Sequence, residues 1–235
     1  MCRILPTSAY WPCHGVLLGG LAAVIFWLPA GRAEDRQAEK WAKTIADFEE
    51  ADQRAPPQPG GVVFVGSSSI RLWNLAESFP DHHCLNRGFG GSRLADVVKF
   101  MDRIVIPYKP RVVVLYAGDN DLAAQRKPTQ IRDDYRSFVN QLHAALPETL
   151  VVWISIKPSP KRWALRELAE QANALVRAEI ERGRNQVEVD IWSAMLDASG
   201  QPRPELYADD QLHLSRAGYA LWTARVRPHL LPRDP

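Results

Sequence analysis

Residues 62–73 read VVFVGSSSIRLW, three consecutive serines between an apolar run and a segment with helical spacing. A hydroxyl at the start of a helix that follows a strand lies exposed at the sheet edge, where the helix amino end favours developing negative charge. That is a seat for a nucleophile; it is equally a seat for an N-cap, which serine also favours. Serine at its ordinary pKa attacks only if a base takes its proton. Besides the loop pair His82 and His83, the chain offers His14, His143, His213 and His229. His14 lies in an N-terminal apolar segment, His143 in the helix-like FVNQLHAAL and His229 at the end of the last helical pattern. His213 alone falls in a polar loop, and Asp210 precedes it by three residues. If that loop turns, the carboxylate reaches one ring nitrogen, fixes the tautomer and stabilises the imidazolium. The plainer alternative is a loop in which Ser215 caps the following helix.

Acyl transfer also needs donors aimed at the tetrahedral oxyanion, each typically supplying ~3 kcal/mol of transition-state stabilisation. GFGGS, residues 88–92, offers unobstructed backbone amides, with Gly91 best placed, and GDND, residues 118–121, offers the side-chain amide of Asn120. Each stretch also has a turn explanation, since glycine admits positive φ and Asp and Asn favour Asx-turns.

These groups must be carried to one place. Five β-rich runs occur at 61–66, 82–87, 111–118, 150–156 and 187–191. Helical patterns alternate with them, clearest at 129–145, 163–182 and from about Ser215 to Leu230, and a leading amphipathic helix at 38–50 places Trp41, Ile45 and Phe48 on one side. Strand and helix in alternation predict a parallel sheet covered on both faces, a three-layer α/β/α domain. The near-continuous apolarity of VVFV, VVVLY and LVVWISI agrees, because central parallel strands are buried on both sides. In such sheets ligands bind beyond the carboxyl ends of the strands. The serines, GFGGS, GDND and the Asp210–His213 loop each follow a strand that opens on that edge.

In this order, and with these residues, the sequence resembles the SGNH hydrolases of the GDSL esterase and lipase group. Ser68 in GSS stands where that family has the serine of GDS, Gly91 stands at its second-block glycine, Asn120 in GDND matches GxND, and Asp210 with His213 match DxxH. The resemblance runs from Val62 to about Leu230. It implies a flavodoxin-like fold with strand order 2-1-3-4-5 and ester hydrolysis through an acyl-enzyme, without metal or organic cofactor. It further implies a triad of Ser68, Asp210 and His213, with an oxyanion hole made by the amides of Ser68 and Gly91 and the side chain of Asn120. Ser67 replaces the family's aspartate and Ser92 an acidic residue; Ser67 is the next candidate for the nucleophile.

Composition bounds the rest. A chain of 235 residues with 46% apolar content supports one sizeable core. Residues 1–33 read as a signal peptide, with Arg3, an apolar run from Val16 to Ala30 and small residues before Glu34; an uncleaved membrane anchor is the alternative. Residues 34–60 then form an N-terminal helix and Pro-rich linker, and 61–235 the hydrolase domain. Loss of Arg3 and Arg32 leaves 27 basic against 27 acidic side chains, a balance that gives nucleic acid no electrostatic foothold. Cys84 then remains without a disulfide partner, and a metal reading of His82, His83 and Cys84 competes with a strand start carrying a buried thiol.

The expected partner is a small-molecule, glycan or lipid ester. Lipases, thioesterases and glycan deacetylases share this architecture, and no apolar lid is visible for long-chain triglycerides. Trp73 and Trp163 are candidates for pocket walls, with Trp73 more simply a core residue. Lys157, Lys161 and Arg162 are candidates for an anionic group or merely solvated loop bases. A non-catalytic envelope binding module and a flavodoxin-like cofactor protein are the rival readings, but neither uses His213 or Asn120.

Overall fold

The computed structural model describes residues 30–230, with side chains from Lys40 onward. The segment read as a signal peptide therefore lies outside the described residues except for its last four positions, where the first helix begins. Among the described residues, no helix is long and apolar enough to cross a membrane.

In chain order the elements are α1 (Ala30–Arg54), β1 (Val62–Gly66), α2 (Ser68–Arg71), α3 (Leu75–Ser78), β2 (Cys84–Gly88) and α4 (Leu94–Ile104). There follow β3 (Val112–Tyr116), α5 (Asp119–Ala123), α6 (Pro128–Ala145), β4 (Leu150–Ile154), α7 (Arg166–Arg182), β5 (Gln186–Val189) and α8 (Arg216–Val226). The five strands form one sheet in the order β2-β1-β3-β4-β5, every pair parallel. This is the expected three-layer α/β/α fold with the expected strand order.

Side-chain alternation along the strands divides the core into two halves, because successive residues point to opposite faces. Val63, Val65, Val113, Leu115, Val151 and Trp153 pack with Trp41 and Ile45 of α1 and with α4, α6 and α7. Val62, Phe64, Val112, Val114, Val152 and Ile154 pack on the other face with Ile70, Trp73, Phe79 and Trp222. Both faces of β1 and β3 are thus buried, which explains their unbroken apolarity.

Helix boundaries differ from the sequence expectation where proline intervenes. The leading helix runs on to Arg54 and stops before Ala55, since the residue preceding Pro56 is driven out of the helical region. The segment expected to open a helix at Trp163 is a 3₁₀ turn, Pro160–Leu165, and α7 begins only at Arg166. The last helix ends at Val226 and tightens into a 3₁₀ turn containing Pro228.

Register sets up the site. Gly66 at the end of β1 lies opposite Gly88 of β2 and Tyr116 of β3. The residues that follow these three strands therefore leave the sheet side by side at its carboxyl edge.

Candidate active site

The corner after β1 is built on Gly66, whose φ is +141° and whose missing Cβ would sit 1.9 Å from the carbonyl oxygen of Tyr116. No side chain fits there, so β1 turns tightly against β3, and the Ser67 amide donates to the Tyr116 carbonyl at 3.0 Å. The three serines then diverge. Ser67 is fully buried, and its Oγ has no hydrogen-bond partner among the described residues. Ser69 is also fully buried, with its Oγ accepting from Lys157 Nζ at 3.2 Å. Ser68, half-buried in the first turn of α2, is the one that meets His213, at 2.9 Å between Oγ and Nε2.

His213 sits in a loop pinned by backbone bonds, Ala208 N–H to the His213 carbonyl at 2.8 Å and Lys161 N–H to the Gln211 carbonyl at 3.0 Å. Asp210 holds the ring, with Oδ2 at 2.5 Å from His213 Nδ1. Its Oδ1 accepts the backbone N–H groups of His213 at 2.9 Å and Leu212 at 3.0 Å, so the turn that the spacing required is made by the aspartate itself. The His213 amide, then the Leu212 amide and the ring, pull the Asp210 carboxyl down to about 2. Asp210 is thus ionised and oriented, and Nδ1 carries the proton in the neutral ring, leaving Nε2 to accept from Ser68.

Gly91 adopts φ +79°, the left-handed region that glycine enters without penalty. It borders a cleft of about 530 Å³ together with Ser68, Asn120, His213, Trp41 and Arg71. Asn120 donates from Nδ2 to the Ser92 carbonyl at 3.0 Å and accepts at Oδ1 from Arg162 Nη2 at 2.9 Å. A carbonyl partner on one side and a guanidinium on the other determine which end of the amide is which. One N–H of the amide remains for a ligand in the cleft. All five residues singled out by sequence, Ser68, Gly91, Asn120, Asp210 and His213, therefore converge on one edge.

Other expectations are corrected. Lys157 is not a solvated loop base: it is only 3% exposed and bonds Ser69, Tyr116 and Asp119. Arg162 is half-buried, bonds Asn120 and pairs with Asp119. Trp73 is core, with its indole N–H on Ser78 Oγ at 2.9 Å, so it does not wall the cleft. Trp163 stacks on Trp192 and lines a separate small crevice beside Asp119. The aromatic wall is Trp41 of α1, which sequence periodicity marked only as a core residue. Cys84 opens β2 as expected, but its thiol is half-buried rather than buried. Among the described residues no three His, Cys, Asp or Glu side chains are gathered in a way that would hold a metal ion.

Sequence reasoning missed Asp119. It sits beside the flagged Asn120, and the available signal was an acid three residues past the end of β3, with Lys157 three residues past the end of β4. Burial pushes its carboxyl up, but the charges of Lys157 and Arg162 outweigh that and leave it below its ordinary value.

A model of the GDSL-like Lipase/Acylhydrolase family matches residues 69–221, more than half of the chain. No curated protein matches by sequence. Among solved structures, a Streptococcus pneumonia protein provisionally called a platelet activating factor superposes with TM-score 0.71 at 20% identity, covering 86% of this chain and 98% of its own. A GDSL-like lipase from Bacteroides thetaiotaomicron gives TM-score 0.66 at 21% identity, over 82% and 96% of the two chains. An acetylxylan esterase from Geobacillus stearothermophilus gives TM-score 0.61 at 17% identity, over 76% and 99%. At such identities the structures show a shared fold, whereas the family match runs from the residue after Ser68 through β2, β3, β4 and β5 and the loops that follow them. The chain belongs to the GDSL-like lipase/acylhydrolase family and is an ester hydrolase.

Proposed function

We propose that the protein is an exported serine esterase that cleaves a small carboxylic ester or an acetylated carbohydrate through an acyl-enzyme. The observation that carries this reading is the relay from Ser68 Oγ to His213 Nε2 at 2.9 Å and from His213 Nδ1 to Asp210 at 2.5 Å. Ser68 Oγ attacks the ester carbonyl carbon as Nε2 takes its proton. The carbonyl oxygen becomes an anion that accepts from the amides of Ser68 and Gly91 and from Asn120 Nδ2. Collapse expels the alcohol, which receives the proton from Nε2. Water then attacks the acyl-Ser68 ester with His213 again as base, and the acid leaves with Ser68 regenerated.

The small-ester preference rests on the cleft. It is open, bordered by Trp41, Leu212 and two glycines as well as by Thr44, Ser68, Arg71, Asn120 and His213, and no apolar lid covers it among the described residues. Hydrogen-bonding groups beside a largely buried indole suit a small ester or a sugar better than a long acyl chain. The likeness in fold to an acetylxylan esterase is consistent with that choice. Export rests on the apolar run from Val16 to Ala30 and the small residues after it.

The test compares parent and Ser68→Ala on nitrophenyl esters of increasing acyl length and on acetylated oligosaccharides. Acetyl esters are expected to be the best substrates and the variant to be inactive. Parental rates in Ser68→Ala would overturn the mechanism, and a preference for long acyl chains would replace the substrate class with lipids.

A further inference from the structure

We infer that Arg162 is a positioning residue for the oxyanion site, holding Asn120 in the one orientation that presents N–H to the reacting oxygen. The inference rests on the esterase reading above. A free carboxamide at Asn120 rotates, and half of its orientations turn Oδ1 toward the cleft, where it would repel the developing oxyanion. Arg162 Nη2 donates to Oδ1 at 2.9 Å and excludes those orientations, while the Ser92 carbonyl takes one N–H at 3.0 Å.

Arg162 is itself immobilised. Its Nη1 lies 2.8 Å from Asp119 Oδ2, an ion-pair contact outside hydrogen-bond angles. The same oxygen accepts from Lys157 Nζ at 3.0 Å. The other two donors of that ammonium go to Ser69 Oγ at 3.2 Å and Tyr116 hydroxyl at 3.0 Å. A chain of contacts therefore runs from the residue after Ser68, through buried Lys157 and Asp119 and half-buried Arg162, to half-buried Asn120 and on to Ser92. The nucleophile's helix and two oxyanion loops are held by one set of contacts.

The charge count adds a second effect. Two cations flank one carboxylate, so the cluster carries a net positive charge directly behind Asn120. Donation from a guanidinium into Oδ1 draws electron density away from Nδ2 and makes its remaining N–H a stronger donor. A dipole fixed in this way needs no reorientation as the charge forms, and so stabilises an anion more than a mobile one does.

The test is a double-mutant cycle on nitrophenyl acetate with thermal unfolding recorded for every variant. Arg162→Met keeps the aliphatic stem and removes all donors; Asn120→Ala removes the oxyanion donor. Arg162→Met is expected to lower kcat about 10- to 100-fold with KM within about threefold, because the interaction matters only in the transition state. In the Asn120→Ala background the same substitution should cost no further rate, since its partner is gone. Should Arg162→Met fail to fold, Arg162→Lys serves instead. It keeps a cation for Asp119 but cannot fork to Asn120, and is expected to retain the parental Tm with reduced kcat. Unchanged kcat in a folded Arg162 variant, an equal rate loss with and without Asn120, or no effect of Asn120→Ala would each overturn the inference. An inactive Ser68→Ala beside parental Arg162 variants would reject this inference alone, whereas an active Ser68→Ala would reject the esterase mechanism beneath it.

Discussion

The carboxyl group of Asp121 accepts the backbone N–H of Leu94 at 3.1 Å, joining α5 to the first turn of α4. Asp121 is fully buried, and its nearest cation, Arg126 Nε, is 3.4 Å away. Loss of water pushes its carboxyl up to about 7, only partly offset by the Leu94 amide and Arg126. The short helix α5 that carries Asn120 is thus anchored by a group that ionises near neutrality.

That anchor makes stability depend on pH in a stated direction. The unfolded chain loses this proton near the ordinary value of 3.8, while the folded chain keeps it to about 7. Between those values the folded state binds more protons, so this group's contribution falls as pH rises from about 4 to about 7 and is flat above. Asp121→Asn keeps an acceptor for Leu94 and removes the titration. Chemical denaturation of parent and variant at several pH values should show a shallower decline in the variant. Identical slopes would mean that Asp121 does not titrate in this window.

Asp210→Asn tests the orientation of the base. The substitution keeps the size of the side chain, but its amide no longer stabilises an imidazolium and can select the wrong ring tautomer. A fall in kcat of about 10³- to 10⁴-fold is expected, with an unchanged circular dichroism spectrum. A loss smaller than tenfold would assign the ring's orientation to the surrounding loop instead.

Gly66→Ala tests the corner. The added methyl would meet the Tyr116 carbonyl at 1.9 Å, and φ +141° is strained for alanine. Strain and overpacking together should cost about 3 kcal/mol or more. Urea unfolding that finds a midpoint within error of the parent would show that β1 and β3 can separate at their ends without cost.

Trp41→Ala tests whether α1 belongs to the site. The indole packs edge-to-face on Phe89 at 5.5 Å and also borders the cleft. Truncation is expected to destabilise by about 3 kcal/mol. If the cleft takes a sugar ester, KM for acetylated oligosaccharides should rise more than KM for nitrophenyl acetate. Equal changes for both substrates would leave Trp41 a packing residue only.

Much of this was legible without coordinates because the relevant signals are local. Apolar runs of four or five residues declare buried parallel strands, and alternation with helical periods declares the layers. Small or polar residues directly after each strand then mark the functional edge, since register brings strand ends together. Asp210 could be tied to His213 because three residues of separation lie within reach of one turn.

What the linear chain left open were choices between neighbours and pairings across distance. Ser67, Ser68 and Ser69 are chemically equivalent in sequence; only the helical turn after Gly66 sends two of them inward and one toward His213. Lys157 read as a solvated base because its partners, Asp119 and Tyr116, are brought to it by the pairing of β3 with β4. Arg162 read the same way, and Trp41 read as core, because a helix periodicity reports that a face is buried and not what lies at its rim. Residue type and local spacing determined which groups are present and which edge they reach; the burial and contact of side chains far apart in sequence, which depend on how whole elements pack, decided which of them meet.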